Sequence, residues 1–99
     1  MPKVIFTISY EIKPDTRSAY LALVSDMKSH FVAKGKTYSV YEQKGKKNSF
    51  VEIFHCASLE EFDALEDDQD EKTEALVQRL DGFLQSPKMK YTTLVEFDS

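Results

Sequence analysis

The order of two hydrophobic repeats along the chain constrains its fold more than any single residue does. Segments with the two-residue period of a strand and segments with helical spacing follow each other as strand, helix, strand, strand, helix, strand. A chain of 99 residues with this βαββαβ order has few compact arrangements, and the ferredoxin-like fold is the commonest of them. We therefore predict an α+β fold in which a four-stranded antiparallel sheet carries two helices on one face.

The first third of the chain is predicted to form a strand and then an amphipathic helix. Apolar residues alternate with polar ones from Val4 to Ile12, and Pro14 ends the strand. A helix then begins at Asp15 or Thr16, because either side chain can accept hydrogen bonds from unpaired N–H groups. Its apolar residues at helical spacing are Tyr20, Leu23, Val24, Met27 and Phe31. This stripe predicts that the helix covers the sheet.

A hairpin is predicted next. Gly35 is placed to end the helix in a left-handed conformation. Two short strands follow at residues 37–43 and 50–57, and the turn-forming residues 44–49 join them.

The last third is predicted to form a capped helix and a final strand. Ser58 and Glu61 have the spacing of a capping box, in which each side chain accepts a hydrogen bond from the backbone at the helix start. The segment 66–74 is almost entirely polar and fits either a solvated helix or a break. Alternating residues at 89–97 then predict the fourth strand.

Short connections and right-handed crossovers predict the strand order 4-1-3-2 with both helices on the same face. The other face would then present Ile5, Val51, Ile53 and Leu94 to solvent. Monomers avoid contiguous apolar patches of this kind. We therefore predict a homodimer that buries this open face, a dimeric α+β barrel, and we assign His55 to the same face.

Length and charge exclude several classes of protein. With 99 residues and 41% hydrophobic residues, the chain is predicted to be a single domain over residues 1–99. The formal net charge of -4 argues against a nucleic-acid partner, and no apolar stretch is long enough to span a membrane. The N-terminal segment lacks the form of a signal peptide, and Cys56 is the only cysteine. These features predict a cytoplasmic protein.

The segment NSFVEIFHCASLEEF, residues 48–62, joins a strand to a serine-capped helix start. This segment and the order of elements resemble the antibiotic biosynthesis monooxygenase family of the dimeric α+β barrel superfamily. The resemblance implies cofactor-independent oxygenation of aromatic, polyketide-like substrates. In that family the strand commonly carries a Glu and, two residues later, a Trp, with a His about one turn into the helix. In this chain the first two places are held by Phe54 and Cys56, and the third falls at about Leu65.

Two ionisable residues are candidates for catalysis. Glu52 shares a strand face with Phe50 and Phe54, so its carboxyl group would lie among aromatic rings, where burial raises its pKa. His30 follows Met27 by three residues and borders the apolar stripe of the first helix. We predict that Glu52 and His30 face one cavity and move protons there. The alternatives are a Glu52 at the sheet rim or paired with a lysine, and a hydrogen-bonded structural His30.

Aromatic and sulfur-containing side chains on the predicted strands and the first helix are candidates for substrate binding. They are Phe6, Tyr10, Tyr20, Met27, Tyr38, Phe54, Cys56 and Tyr91. Such residues suit ligand cavities, although they also suit ordinary core packing. The acidic run 66–74 lacks the pattern of a calcium loop. We expect neither a metal nor a cofactor.

Two functions follow from these residues. The first is a small monooxygenase-like enzyme that holds an aromatic or quinol-type molecule between sheet and helices. The alternative is a non-catalytic dimeric ligand-binding or interaction module whose cavity is filled by its own side chains. An open cavity distinguishes the first function from the alternative.

Overall fold

The computed structural model describes residues 2–67 and 70–97. The elements in chain order are β1 (Val4–Glu11), α1 (Arg17–Ala33), β2 (Thr37–Glu42), β3 (Ser49–Cys56), α2 (Leu59–Asp67), α3 (Glu71–Asp81) and β4 (Lys90–Val95). A short 3-10 turn at Pro14–Thr16 precedes α1. This arrangement confirms the predicted ferredoxin-like α+β fold.

The four strands form one antiparallel sheet in the order β2-β3-β1-β4. This is the predicted order, seen from the opposite edge. In the register of the sheet, Phe54 of β3 lies between Phe6 of β1 and Tyr38 of β2. Directly paired residues share a face of an antiparallel sheet, so these three rings lie together on the side that the helices cover.

The start of α1 differs from the prediction. Thr16 is the N-cap residue of α1 but its side chain accepts no capping hydrogen bond, and its hydroxyl donates to the carbonyl oxygen of Lys13 at 2.7 Å. Pro14 is the first residue of the 3-10 turn, where its fixed φ favours a tight start and its missing N–H costs nothing. At the other end Gly35 adopts φ +80°, as predicted.

The second helical region is two helices, which favours a break within 66–74 over one continuous helix. Asp70 caps α3 by accepting a hydrogen bond from the N–H of Thr73 at 2.7 Å. The serine half of the capping box before α2 is confirmed, since the N–H of Glu61 donates to Ser58 Oγ at 3.1 Å. The Glu61 carboxylate accepts from the N–H of Ala57 at 3.0 Å, one residue before the cap.

The core lies between the helices and one face of the sheet. Its most fully buried large side chains are Tyr20, Ile12, Leu23 and Val4. Leu76 and Leu80 of α3 join Tyr20, Ile12 and Leu23 in one cluster, while Val4 lies in a second, smaller cluster. The helices therefore cover the face that the strand alternation predicted.

The opposite face of the sheet is open. Ile5, Val51 and Ile53 are half-buried and Leu94 is 52% exposed. Tyr41 is exposed on the same side. The predicted apolar patch is therefore present, while the dimer stays a prediction. Within the described residues, no helix combines the length and apolar character needed to cross a membrane.

Candidate functional site

A cavity of about 290 Å³ lies between the sheet and α3. The backbone of α3 lies beside α1 and, within residues 2–67 and 70–97, beside no strand. Its side chains reach toward the sheet without closing the intervening space. Apolar lining from the helices comes from Met27, Phe31, Leu65, Leu76, Val77 and Leu80. Lining from the sheet and its last connection comes from Phe6, Ile8, Phe54, Met89 and Tyr91.

Half of the predicted site residues line this cavity. They are Glu52, Phe6, Met27, Phe54 and Tyr91. Strand alternation identified four of these, and the α1 stripe identified Met27. The sequence pattern did not predict the contribution of α3, because the non-helical Asp70 decides where that helix begins. It also missed three polar lining residues: Lys36, Glu66 and Thr73.

Glu52 is the acidic group that the sheet supplies to the cavity. It lies between Ile8 and Val40 in the register of the sheet and is 4% exposed. The hydroxyl of Tyr38 donates a hydrogen bond to Glu52 Oε1 at 2.6 Å. Burial raises the pKa of Glu52, while hydrogen bonds from Tyr38 and, to a smaller extent, Tyr10 oppose this rise. A raised pKa makes this carboxylate a stronger base than an exposed one, which suits it to accepting a proton.

The three buried tyrosines of the predicted site surround Glu52 instead of lining the cavity. Tyr10 and Tyr20 share a hydrogen bond of 2.7 Å between their hydroxyl oxygens. Burial raises the pKa of Tyr10, Tyr20 and Tyr38 far above the usual range, and the Glu52 charge adds to it. These hydroxyls therefore stay protonated and act as hydrogen-bond donors.

His30 is not brought to the cavity, which corrects the predicted pairing with Glu52. Its Nε2 atom lies 2.8 Å from Thr73 Oγ1 and 3.6 Å from Asp70 Oδ1. Both partners belong to the start of α3, which packs against this part of α1. His30 thus joins two helices, in agreement with the structural alternative.

Cys56 also lies outside the main cavity. It packs at the end of β3 with Val4 and Phe62. Burial raises the pKa of its thiol, and the nearby Glu61 carboxylate acts in the same direction. A protonated thiol in this position is a core residue. Among the described residues, no group of three or more His, Cys, Asp or Glu side chains could hold a metal ion.

No family model matches the chain, and no curated protein matches its sequence. Solved structures share its fold. A conserved protein from Methanosarcina mazei Go1 has a TM-score of 0.83 at 11% identity, over 98% of this chain and 95% of that one. Rv0793 from Mycobacterium tuberculosis has a TM-score of 0.76 at 21% identity, over 98% and 97%.

The structure of an antibiotic biosynthesis monooxygenase is also similar. Its TM-score is 0.71 at 18% identity, and the match covers 100% of this chain and 99% of that one. The fold resemblance drawn from element order and residues 48–62 is therefore confirmed. At these identities the likeness shows the fold alone, which is the ferredoxin-like α+β fold with a four-stranded antiparallel sheet.

Proposed function

We propose that this chain binds a small aromatic or quinol-type molecule in the cavity and oxidises it as a cofactor-independent monooxygenase. The observation that carries the proposal is the buried carboxylate of Glu52 in the wall of an apolar cavity. A volume of about 290 Å³ is close to the lower end of ligand pockets, so the cavity suits a small molecule. Its aromatic lining provides ring faces for stacking.

In this proposal Glu52 accepts a proton from the ligand. The resulting anion is electron-rich and passes electrons to molecular oxygen, which is the oxidant. For a quinol the balanced reaction is quinol plus O₂ to hydroxyquinone plus water. One oxygen atom enters the ring and the other leaves as water. Four electrons come from the ligand, two from the quinol oxidation and two from the carbon that is hydroxylated.

Ligand binding without oxidation is the second candidate. Phe54, Cys56 and about Leu65 hold the places at which the resemblance implies Glu, Trp and His. These substitutions favour a binding module over an enzyme. The cavity is open, however, so the version in which its own side chains fill it is not supported.

The proposal includes the assembly and the location. The open face with Ile5, Val51, Ile53 and Leu94 is proposed to pair with a second copy of the chain, because pairing would remove this apolar surface from water. A single domain over residues 1–99 in the cytoplasm completes the proposal.

Oxygen uptake with naphthoquinol and anthrone tests the function. The wild-type protein should consume oxygen with one of them, and Glu52→Gln should lower the rate by about 10²-fold or more. Glu60→Gln, an exposed change on α2, is the matched control and should keep the wild-type rate. Saturable binding without oxygen uptake would favour the second candidate. Equal rates in wild type and Glu52→Gln would contradict the role of Glu52.

A further inference from the structure

We infer that Tyr38 is a positioning residue whose hydroxyl holds the Glu52 carboxylate in the cavity wall, ready to take a proton from the ligand. This inference rests on the proposed function, because it assigns Glu52 the role of base. The cavity lining includes Glu52 but not Tyr38. Tyr38 therefore acts through Glu52 and does not touch the ligand.

The geometry of Tyr38 supports this role. Its hydroxyl donates to Glu52 Oε1 at 2.6 Å, the short distance expected of a hydrogen bond to a charged acceptor. The hydroxyl oxygen of Tyr38 also lies 3.8 Å from Met27 Sδ, so it is enclosed between the Glu52 carboxylate and a cavity-lining side chain. With Tyr38 only 3% exposed, water has little access to replace this donor.

Aromatic packing fixes the Tyr38 ring. Its centroid lies 4.9 Å from that of Phe31 and 4.8 Å from that of Phe54. Phe31 and Phe54 both line the cavity and contact each other edge to face at 5.0 Å. Tyr38→Phe keeps this packing, because it removes the hydroxyl and leaves the ring.

The groups that face Glu52 come from several elements. Tyr38 comes from β2, Tyr10 from β1 and Tyr20 from α1, where Tyr20 reaches Glu52 through its bond to Tyr10. Lys36 before β2 and Glu66 of α2 are the other charged residues of the cavity lining. Tyr38 is the strongest of the donors that favour the ionised carboxylate.

This hydrogen bond lowers the pH at which Glu52 becomes a base. Burial raises the pKa of Glu52, and donation from Tyr38 favours the charged form and limits that rise. Loss of the donor should therefore leave a smaller ionised fraction at neutral pH. A freely moving carboxylate would also spend less time in the orientation that receives the proton.

The test compares Tyr38→Phe with Tyr41→Phe, an exposed tyrosine of the same strand on the open face. Carboxyl ¹³C NMR follows the Glu52 titration without any ligand. Tyr38→Phe should shift the Glu52 midpoint upward, whereas Tyr41→Phe should leave it in place. The pH profile of oxygen uptake should shift in the same direction, with about tenfold or greater loss of kcat/KM near neutral pH.

A second measurement needs no Tyr38 variant. In wild-type protein with ¹³Cζ-labelled tyrosine, the Tyr38 resonance should move as Glu52 titrates. An unmoved resonance, or an unchanged Glu52 midpoint in Tyr38→Phe, would overturn the inference. In either case, activity lost in Glu52→Gln would leave the proposed function standing. Full activity in Glu52→Gln would contradict the proposed function, even where the Tyr38 resonance follows Glu52.

Discussion

Glu52 places an ionisable group on the apolar face of the sheet, where it links stability to pH. Burial raises its pKa in the folded chain above the usual value of the unfolded chain. Between these two pKa values the folded chain holds the proton more tightly. The stabilising contribution of the protonated form is therefore fully present below the unfolded pKa. It is lost as the pH rises through the folded pKa.

We predict that Glu52→Gln makes the protein more stable than wild type at neutral pH. Gln keeps an acceptor for Tyr38 but carries no charge that must be buried. The difference in the free energy of unfolding should vanish below about pH 4 and grow as the pH rises. Urea unfolding between about pH 3 and 8 measures it. Glu60→Gln should track wild type; a pH-independent difference for Glu52→Gln would contradict the raised pKa.

The sequence pattern predicted correctly that Glu52 faces the cavity, but the same prediction for His30 was wrong. Strand alternation decides which face Glu52 occupies, because a residue in a sheet has only two directions. A residue at the border of a helical stripe has no such restriction. The partner of His30 depends on where α3 packs, and Thr73 is 43 residues away with no local pattern to signal the contact.

Hydrogen bonds at the helix starts contribute to the stability of the helices that cover the sheet. We predict that Ser58→Ala lowers the free energy of unfolding by about 0.5–2 kcal/mol, because the N–H of Glu61 loses its acceptor. Glu61→Ala should weaken the same turn through loss of its bond to the N–H of Ala57. The two losses should not add in a double-mutant cycle measured by urea unfolding. Strict additivity would show that the side chains act independently.

Asp70 has two roles at the start of α3. It caps the helix through Thr73 and pairs with Lys34, whose ammonium group holds the pKa of Asp70 well below its usual range. We predict the stability order wild type, Asp70→Asn, Asp70→Ala, because Asn keeps the cap and loses only the ion pair. The advantage of wild type over Asp70→Asn should be present at neutral pH and disappear on acidification toward the folded pKa of Asp70.

Urea midpoints at neutral and acidic pH measure this order. Equal midpoints for Asp70→Asn and Asp70→Ala would contradict the capping role. Binding of the proposed ligand should weaken in the same order, since Leu76, Val77 and Leu80 of α3 line the cavity.

Element order was predictable and helix ends were less so. The two hydrophobic periods differ enough to separate strands from helices, and crossover rules then leave one strand order. The run 66–74 fits a helix or a break equally well, because charged residues are stable in either when they face water. Thr16 fitted a helix cap, but Pro14 starts a tighter turn that uses the threonine hydroxyl elsewhere.

The open sheet face determines which state of assembly we expect for the whole molecule. If a second copy covers it, Val51→Asp should place a charge in an apolar interface and shift the protein to monomer. Gln78→Glu, at an exposed position of α3, makes the same change in net charge away from the open face and should leave assembly unaltered. Sedimentation velocity at micromolar concentration measures both. A wild-type monomer at all concentrations would contradict the proposed assembly.

The position of α3 beside α1 but away from the strands has a consequence for motion. A helix whose backbone lies beside only one other element can detach at a lower free energy than the whole domain unfolds, even though Leu76 and Leu80 pack into the core. Amide hydrogens of α3 should therefore exchange with deuterium through such local detachment, faster than those of β1 and β3. Exchange of α3 only at the global rate would contradict this. Because Leu76, Val77 and Leu80 of α3 line the cavity, each detachment would also expose Glu52 to solvent while the sheet stays intact.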